Sequence, residues 1–148
     1  IPRGLGALGY TLHRPEGDRY LVTQSELESR IQVLLAGTVA EEIIFDDVST
    51  GAQNDLERAT EIARKMVCEW GMSEHLGPMT FGKKNEEIFL GRDFTQVQDY
   101  SERTAREIDQ EVRRIIQESY QAARDLLETN LDALHRVAET LLGPQAIR

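Results

Sequence analysis

The side chains able to do chemistry in this chain are few and far apart. Its histidines are His13, His75 and His135, and its one cysteine is Cys68. A zinc site of the kind that hydrolyses peptides uses two histidines one helical turn apart, so that both imidazoles reach one ion, with a glutamate between them placed to deprotonate a water. No two of these histidines are close enough in sequence to share a turn, and all three read as loop or helix surface residues without a role. Cys68 alone excludes an internal disulfide and any multi-cysteine metal site. Beside Val67 on a helical stretch, it reads as a small buried hydrophobe rather than a nucleophile. Among the carboxylates, Asp55 has the most specific surroundings, Ser49-Thr50-Gly51-Ala52-Gln53-Asn54-Asp55-Leu56-Glu57-Arg58-Ala59-Thr60. By pattern alone it is a solvated helix carboxylate. Its rivals are Glu41 and Glu42, adjacent and late in an apolar helical stretch.

The elements that must position these groups are mainly helical. Leu8-Gly9-Tyr10-Thr11-Leu12 alternates as extended chain between a Gly-rich turn and Pro15-Glu16-Gly17, so one short N-terminal strand or hairpin is expected there. Thr23-Gln24-Ser25-Glu26 has the form of a capping box. It opens a helix carrying Leu27, Ile31, Leu34, Leu35, Val39 and Ile43, which runs to about Phe45. Thr50-Gly51-Ala52-Gln53 reads as a second capping box. Its helix has a stripe of Leu56, Ala59, Ala63, Val67 and Trp70 that ends at Gly71, with Asp55 beside the stripe and Trp70 as a core anchor.

From Met72 to Asp99 no helical period survives, and a long loop is expected, with a small hairpin near Glu87-Ile88-Phe89-Leu90. Ser101 then begins the strongest helical pattern, with Ala105, Ile108, Val112, Ile115, Ser119, Ala123 and Leu126 on one face, widened by Ile116, Tyr120 and Leu127. Asn130 breaks it and caps a shorter helix bearing Leu131, Leu134, Ala138 and Leu141, stopped by Gly143-Pro144. These last two helices are expected to form an antiparallel helical hairpin. The only internal boundary is the loop before Ser101, which divides a site-proximal part, 1–98, from a C-terminal part, 99–148.

Composition narrows the function classes. The chain has 148 residues, 40% of them hydrophobic, enough for one domain with a buried core. Seventeen Lys and Arg against twenty-six Asp and Glu give a net charge of -9, which repels phosphate backbones and argues against nucleic acid as a partner. No apolar stretch approaches the roughly 20 residues needed to span a bilayer, so no membrane contact is expected from this segment itself. The chain opens on Ile1-Pro2-Arg3-Gly4 without Met or a signal-like apolar run, and reads as the C-terminal piece of a longer protein.

Ordered motifs along nearly the whole chain resemble one family. Ile1-Pro2-Arg3-Gly4 with Ala7-Leu8-Gly9-Tyr10-Thr11, Asp18-Arg19-Tyr20, Val39-Ala40-Glu41-Glu42-Ile43-Ile44-Phe45 and the Ser49 to Thr60 run come first. Glu69-Trp70-Gly71-Met72-Ser73, Leu76-Gly77-Pro78 and Phe89-Leu90-Gly91-Arg92 follow. Together they are similar to the C-terminal part of the peptidase domain of the FtsH family, membrane-anchored AAA+ zinc proteases. The chain departs from the family pattern at Ala36-Gly37-Thr38, where Gly-Gly-Arg is usual, and at Asp46, where Gly is common.

The resemblance implies a mainly α peptidase domain in which Asp55 is the third zinc ligand, while an H-E-x-x-H helix upstream of Ile1 supplies the other two ligands and the general base. One of Glu41 and Glu42 would then back a ligand or form an ion pair rather than bind the metal. It further implies a parent that is an ATP-dependent zinc endopeptidase, with ATP bound by a domain outside this chain. That parent would be a homo-hexamer taking unfolded and membrane-protein chains as substrates, anchored in a membrane with this domain on the cytoplasmic or organellar matrix side. The chain alone is expected to be catalytically inactive. The competing reading is a non-catalytic helical assembly module of a ring-forming protein. One carboxylate cannot satisfy zinc, so the isolated chain should hold it no tighter than roughly micromolar, far from the about 10–16 kcal/mol of a structural site. Stoichiometric zinc surviving dialysis against a mild chelator would contradict this.

Overall fold

The computed structural model describes residues 21–82 and 100–143. Among them are four α-helices: α1 (Gln24–Phe45), α2 (Gln53–Cys68), α3 (Glu102–Thr129) and α4 (Leu131–Leu142). The mainly helical expectation is met. The strand expected at Leu8–Leu12 and the hairpin near Glu87–Leu90 lie outside the described residues, as does His13.

α1 begins where the sequence says it should. The Thr23 hydroxyl accepts the backbone N–H of Glu26 at 3.3 Å, which satisfies one of the donors that a helix start leaves open. Leu27, Ile31, Leu35 and Val39 recur at helical spacing and are buried. The helix stops at Asp46, whose φ of 53° is left-handed and whose N–H returns to the Glu42 carbonyl. Glycine occupies that conformation without a Cβ penalty, so an aspartate here carries strain.

α2 and α3 complete one core. Ala59, Ala63, Met66 and Val67 of α2 are fully buried and meet Leu27, Ile31 and Leu35 of α1 and Ile108, Val112 and Ile115 of α3. The Arg124–Glu42 ion pair, at 3.3 Å, joins the C-terminal parts of α3 and α1, whereas Arg64 near the end of α2 meets Asp109 early in α3 at 3.6 Å. α1 and α3 therefore run in the same general sense, with α2 opposed to both. The turn after α2 depends on Gly71, whose φ is +59° and where an added Cβ would sit 2.8 Å from the Pro78 Cα. That turn brings Phe81 back so that its N–H donates to the Cys68 carbonyl and its ring meets Tyr100 edge-on at 6.0 Å.

Several expectations need correction. The helix carrying Asp55 is not opened by a Thr50 capping box. Ser49 caps a single 3-10 turn, Thr50–Ala52, by accepting the Gly51 N–H, and α2 follows from Gln53 with no side-chain cap. Leu56 and Trp70 are 42% and 47% exposed, so neither is a core residue, while Met66, absent from the expected stripe, is fully buried. Leu126 leaves the α3 face at 62% exposure. Asn130 gives α4 no side-chain cap, because its Nδ2 donates back to the Leu126 carbonyl. The antiparallel packing of α4 on α3 is not found either, since no α4 residue is buried. One connecting residue is shorter than the roughly 2–5 that a helical hairpin uses.

Ile115 is buried at mid-α3, and Arg113 two residues away is exposed. Ile115→Asp should place an unpaired charge in the core and destabilise by at least about 3 kcal/mol, whereas Arg113→Gln should stay within about 0.5 kcal/mol. Thermal melts of the two variants make the comparison, and equal melting temperatures would contradict the packing of α3.

Candidate metal centre

Asp55 lies in the first turn of α2, three residues into the helix, and is half-buried. Helical geometry places it one turn before Ala59 and two turns before Ile62, at the N-terminal end of the buried stripe. Its carboxylate makes no hydrogen bond or ion pair with any described residue, so its oxygens remain open to another partner. Carboxylate oxygen is an accepted zinc donor. The described residues contain no cluster of three His, Cys, Asp or Glu that could hold a metal. Among the described residues Asp55 would therefore be a lone donor, and a zinc ion would need further ligands beside it.

The rival carboxylates are occupied. Glu42 forms the ion pair with Arg124, both side chains partly exposed. Glu41 accepts the Ser49 N–H at 3.0 Å through Oε2 and the Ser49 hydroxyl at 3.0 Å through Oε1. Each therefore does structural work for a neighbouring segment. Ser49 was legible only as part of the run around Asp55. Its bond to Glu41 spans eight residues across an exposed turn, and no local sequence pattern signals such a pair.

Cys68 is half-buried, and burial pushes its thiol pKa above the ordinary value against an opposing pull from Arg64. The nucleophile is the thiolate, so this environment supports the buried-hydrophobe reading. His75 and His135 are exposed, also as expected.

A second polar assembly was missed in the sequence. Glu111 is buried on α3, where it accepts the Ser73 hydroxyl at 2.7 Å and the Arg114 guanidinium at 3.0 Å, and Arg114 also reaches Glu118 at 2.9 Å. Ser73 Oγ in turn accepts the Leu76 N–H, tying the turn after α2 to α3. In sequence Glu111 looked like one more surface acid on a charged helix, because its partner Ser73 lies 38 residues away. An open cleft of about 790 Å³ runs between α1 and α3 past Gln24, Glu28, Glu111, Arg114 and Glu118. Asp55 does not line it. The cleft is therefore a polar gap between two helices rather than the surroundings of the candidate ligand.

The whole chain, residues 1–148, matches the model of peptidase family M41, and it belongs to that family. It is 58% identical over 147 residues to the ATP-dependent zinc metalloprotease FtsH 1 of Thermoanaerobacter sp. (strain X514), covering 99% of this chain and 24% of that protein. Identities to the ATP-dependent zinc metalloproteases FtsH of Pseudothermotoga lettingae and Thermotoga maritima are 54% and 50%, each over 99% of this chain and 24% of the relative. The resemblance read from the motifs is borne out, and the chain is an FtsH-family peptidase domain. It spans about a quarter of the length of the curated relatives it matches.

The Arg114 hydrogen bond, then the Ser73 hydroxyl, hold the Glu111 pKa below the ordinary glutamate value against the opposing effect of burial. A carboxyl whose pKa is lower folded than unfolded stabilises the fold above its unfolded value and loses that contribution as pH falls through its folded value. Stability should therefore decline as pH drops below about 4.3, the free glutamate value, and this component should be missing in Glu111→Gln. Denaturant melts between pH 3 and pH 7 check this, and parallel pH profiles for both proteins would contradict it.

Proposed function

We propose that this chain forms part of an ATP-dependent zinc endopeptidase and contributes one metal ligand, Asp55. The observation that carries the reading is the half-buried, unengaged Asp55 carboxylate at the first turn of α2, in a peptidase-family chain whose Glu41 and Glu42 are already committed elsewhere. The remaining ligands and the general base come from outside the 148 residues, since His13, His75 and His135 cannot supply a one-turn pair. Bound zinc supplies Lewis-acid polarisation of a scissile carbonyl and a nucleophilic water. The chain's own work is to present the Asp55 oxygen from a helix whose later turns are locked in the core, because ligand placement has to be accurate for the chemistry to proceed. On this reading the isolated chain is inactive, and ATP serves a separate domain that delivers unfolded or membrane-protein substrates to the peptidase.

The C-terminal helices favour a second, compatible role in assembly. α4 exposes Val137, Leu141 and Leu142 at 51%, 51% and 88%, an apolar surface that a homo-hexameric ring would cover. No described helix is long and apolar enough to cross a membrane. We place the anchor of the parent protein in other sequence, with this domain on the cytoplasmic or organellar matrix side.

In the full-length protein, Asp55→Asn should reduce zinc retention and proteolysis together, by about 10-fold or more, while ATP hydrolysis persists. Metal analysis after gel filtration, casein degradation and phosphate release are the three measurements. A variant that keeps its zinc and degrades protein at the parent rate would overturn the assignment.

A further inference from the structure

We infer that Glu41 is a positioning residue for the metal-binding carboxylate: by gripping Ser49 it fixes the turn from which the first turn of α2, and with it Asp55, is presented. This rests on the reading of Asp55 as a zinc ligand. The segment between α1 and α2 has little else to hold it. Residues 46–51 are all exposed, Asp46 adopts a strained left-handed conformation, and Ala52 provides no side-chain cap for α2. Among the described residues, the only side-chain hydrogen bonds joining this segment to the body of the fold are those between Glu41 and Ser49.

The backbone of Glu41 belongs to α1, which is packed in the core through the fully buried Val39 two residues earlier, so the grip on Ser49 starts from a packed helix. Oε2 accepts both the Ser49 N–H at 3.0 Å and the Ser49 hydroxyl at 3.2 Å, and Oε1 takes the hydroxyl at 3.0 Å. The same Ser49 Oγ accepts the Gly51 N–H at 3.3 Å, and the Gln53 N–H closes on the Thr50 carbonyl. A chain of hydrogen bonds thus runs from α1 through the turn into the residue that starts α2, two positions before Asp55.

The deeper turns of α2 need no such brace, since Ala59, Ala63, Met66 and Val67 are at 0% exposure. The first turn does, because its backbone donors lack intrahelical partners and its residues are mostly exposed. Loss of the grip should therefore misplace Asp55 while leaving the fold intact. This separates a positioning role from a ligand role for Glu41. An amide oxygen at the Oε2 position could accept both Ser49 donors, so Glu41→Gln preserves the grip, whereas a ligand would lose its charge and its metal affinity.

The test uses the full-length protein with zinc, a chelator competition assay, a peptide substrate and a thermal melt of the metal-free form. Glu41→Ala should weaken zinc binding and lower kcat by about 10-fold or more, the size of effect seen when the support of a metal ligand is lost, with KM and the metal-free melt near those of the parent. Glu41→Gln should stay within about threefold of the parent in both. Ser49→Ala should cost less than Glu41→Ala, because the backbone N–H bond persists, and should add little to it in the double variant. Zinc loss in Glu41→Gln as complete as in Glu41→Ala would overturn the proposal, as would undiminished zinc binding in Glu41→Ala. Asp55→Asn run alongside tells the failures apart. If Asp55→Asn loses zinc and Glu41→Ala does not, only the positioning role falls. If Asp55→Asn retains zinc, the ligand reading falls as well.

Discussion

The shared apolar seam of α1, α2 and α3 sets everything else in the fold. Ala59 and Ala63 present methyl groups where larger side chains would hold the helices apart, and both are at 0% exposure. Ile31 and Leu35 of α1 and Ile108 and Val112 of α3 close on them from either side. Each fully buried side chain of the size of Ile31 contributes about 1.5–3 kcal/mol. Such an apolar seam is non-directional, however. It fixes that α1, α2 and α3 pack together, and says little about how their ends and connecting turns are aimed.

Aim comes from a few polar contacts at the rim of the seam. Glu42 with Arg124 sets the C-terminal parts of α1 and α3 against each other, Ser73 with Glu111 draws the turn after α2 onto α3, and Glu41 with Ser49 orients the entry to α2. The Glu42–Arg124 pair is half exposed, so its energetic weight is small and its worth is geometric. Glu111 differs because it is buried and its charge must be matched by the bonds it accepts. Asp55 stands outside this bracing, its carboxylate making no hydrogen bond or ion pair with any described residue.

Much of this was legible in the sequence, for reasons that differ between elements. α1 and α3 were readable almost to their ends because Thr23 and Ser101 are strong N-terminal caps and the apolar period runs unbroken for several turns. The expected start of α2 falls two residues too early, since Thr50 through Gln53 imitates a capping box while Ser49 actually caps a 3-10 turn ahead of the helix. Trp70 misled because size suggests burial, yet α2 ends at Cys68 and the chain turns at Gly71 before the indole can reach the core. The relation of α4 to α3 depends on whether one residue, Asn130, can reverse the chain, which apolar periodicity does not encode. At the candidate site, Asp55 could be singled out through the motif around it. The roles of Glu41, Ser49 and Glu111 arise from contacts across 8 and 38 residues, which appear only once the helices are packed.

The central claim is that Asp55 is the carboxylate this domain offers to zinc. The most direct measurement is a crystal structure of the full-length protein with data collected on both sides of the zinc absorption edge, so that the metal is located by its own anomalous signal. The account predicts one anomalous peak with an Asp55 carboxylate oxygen at about 2.0–2.2 Å, and Glu41 still bound to Ser49. A peak coordinated by Glu41 or Glu42, with Asp55 turned away, would contradict it.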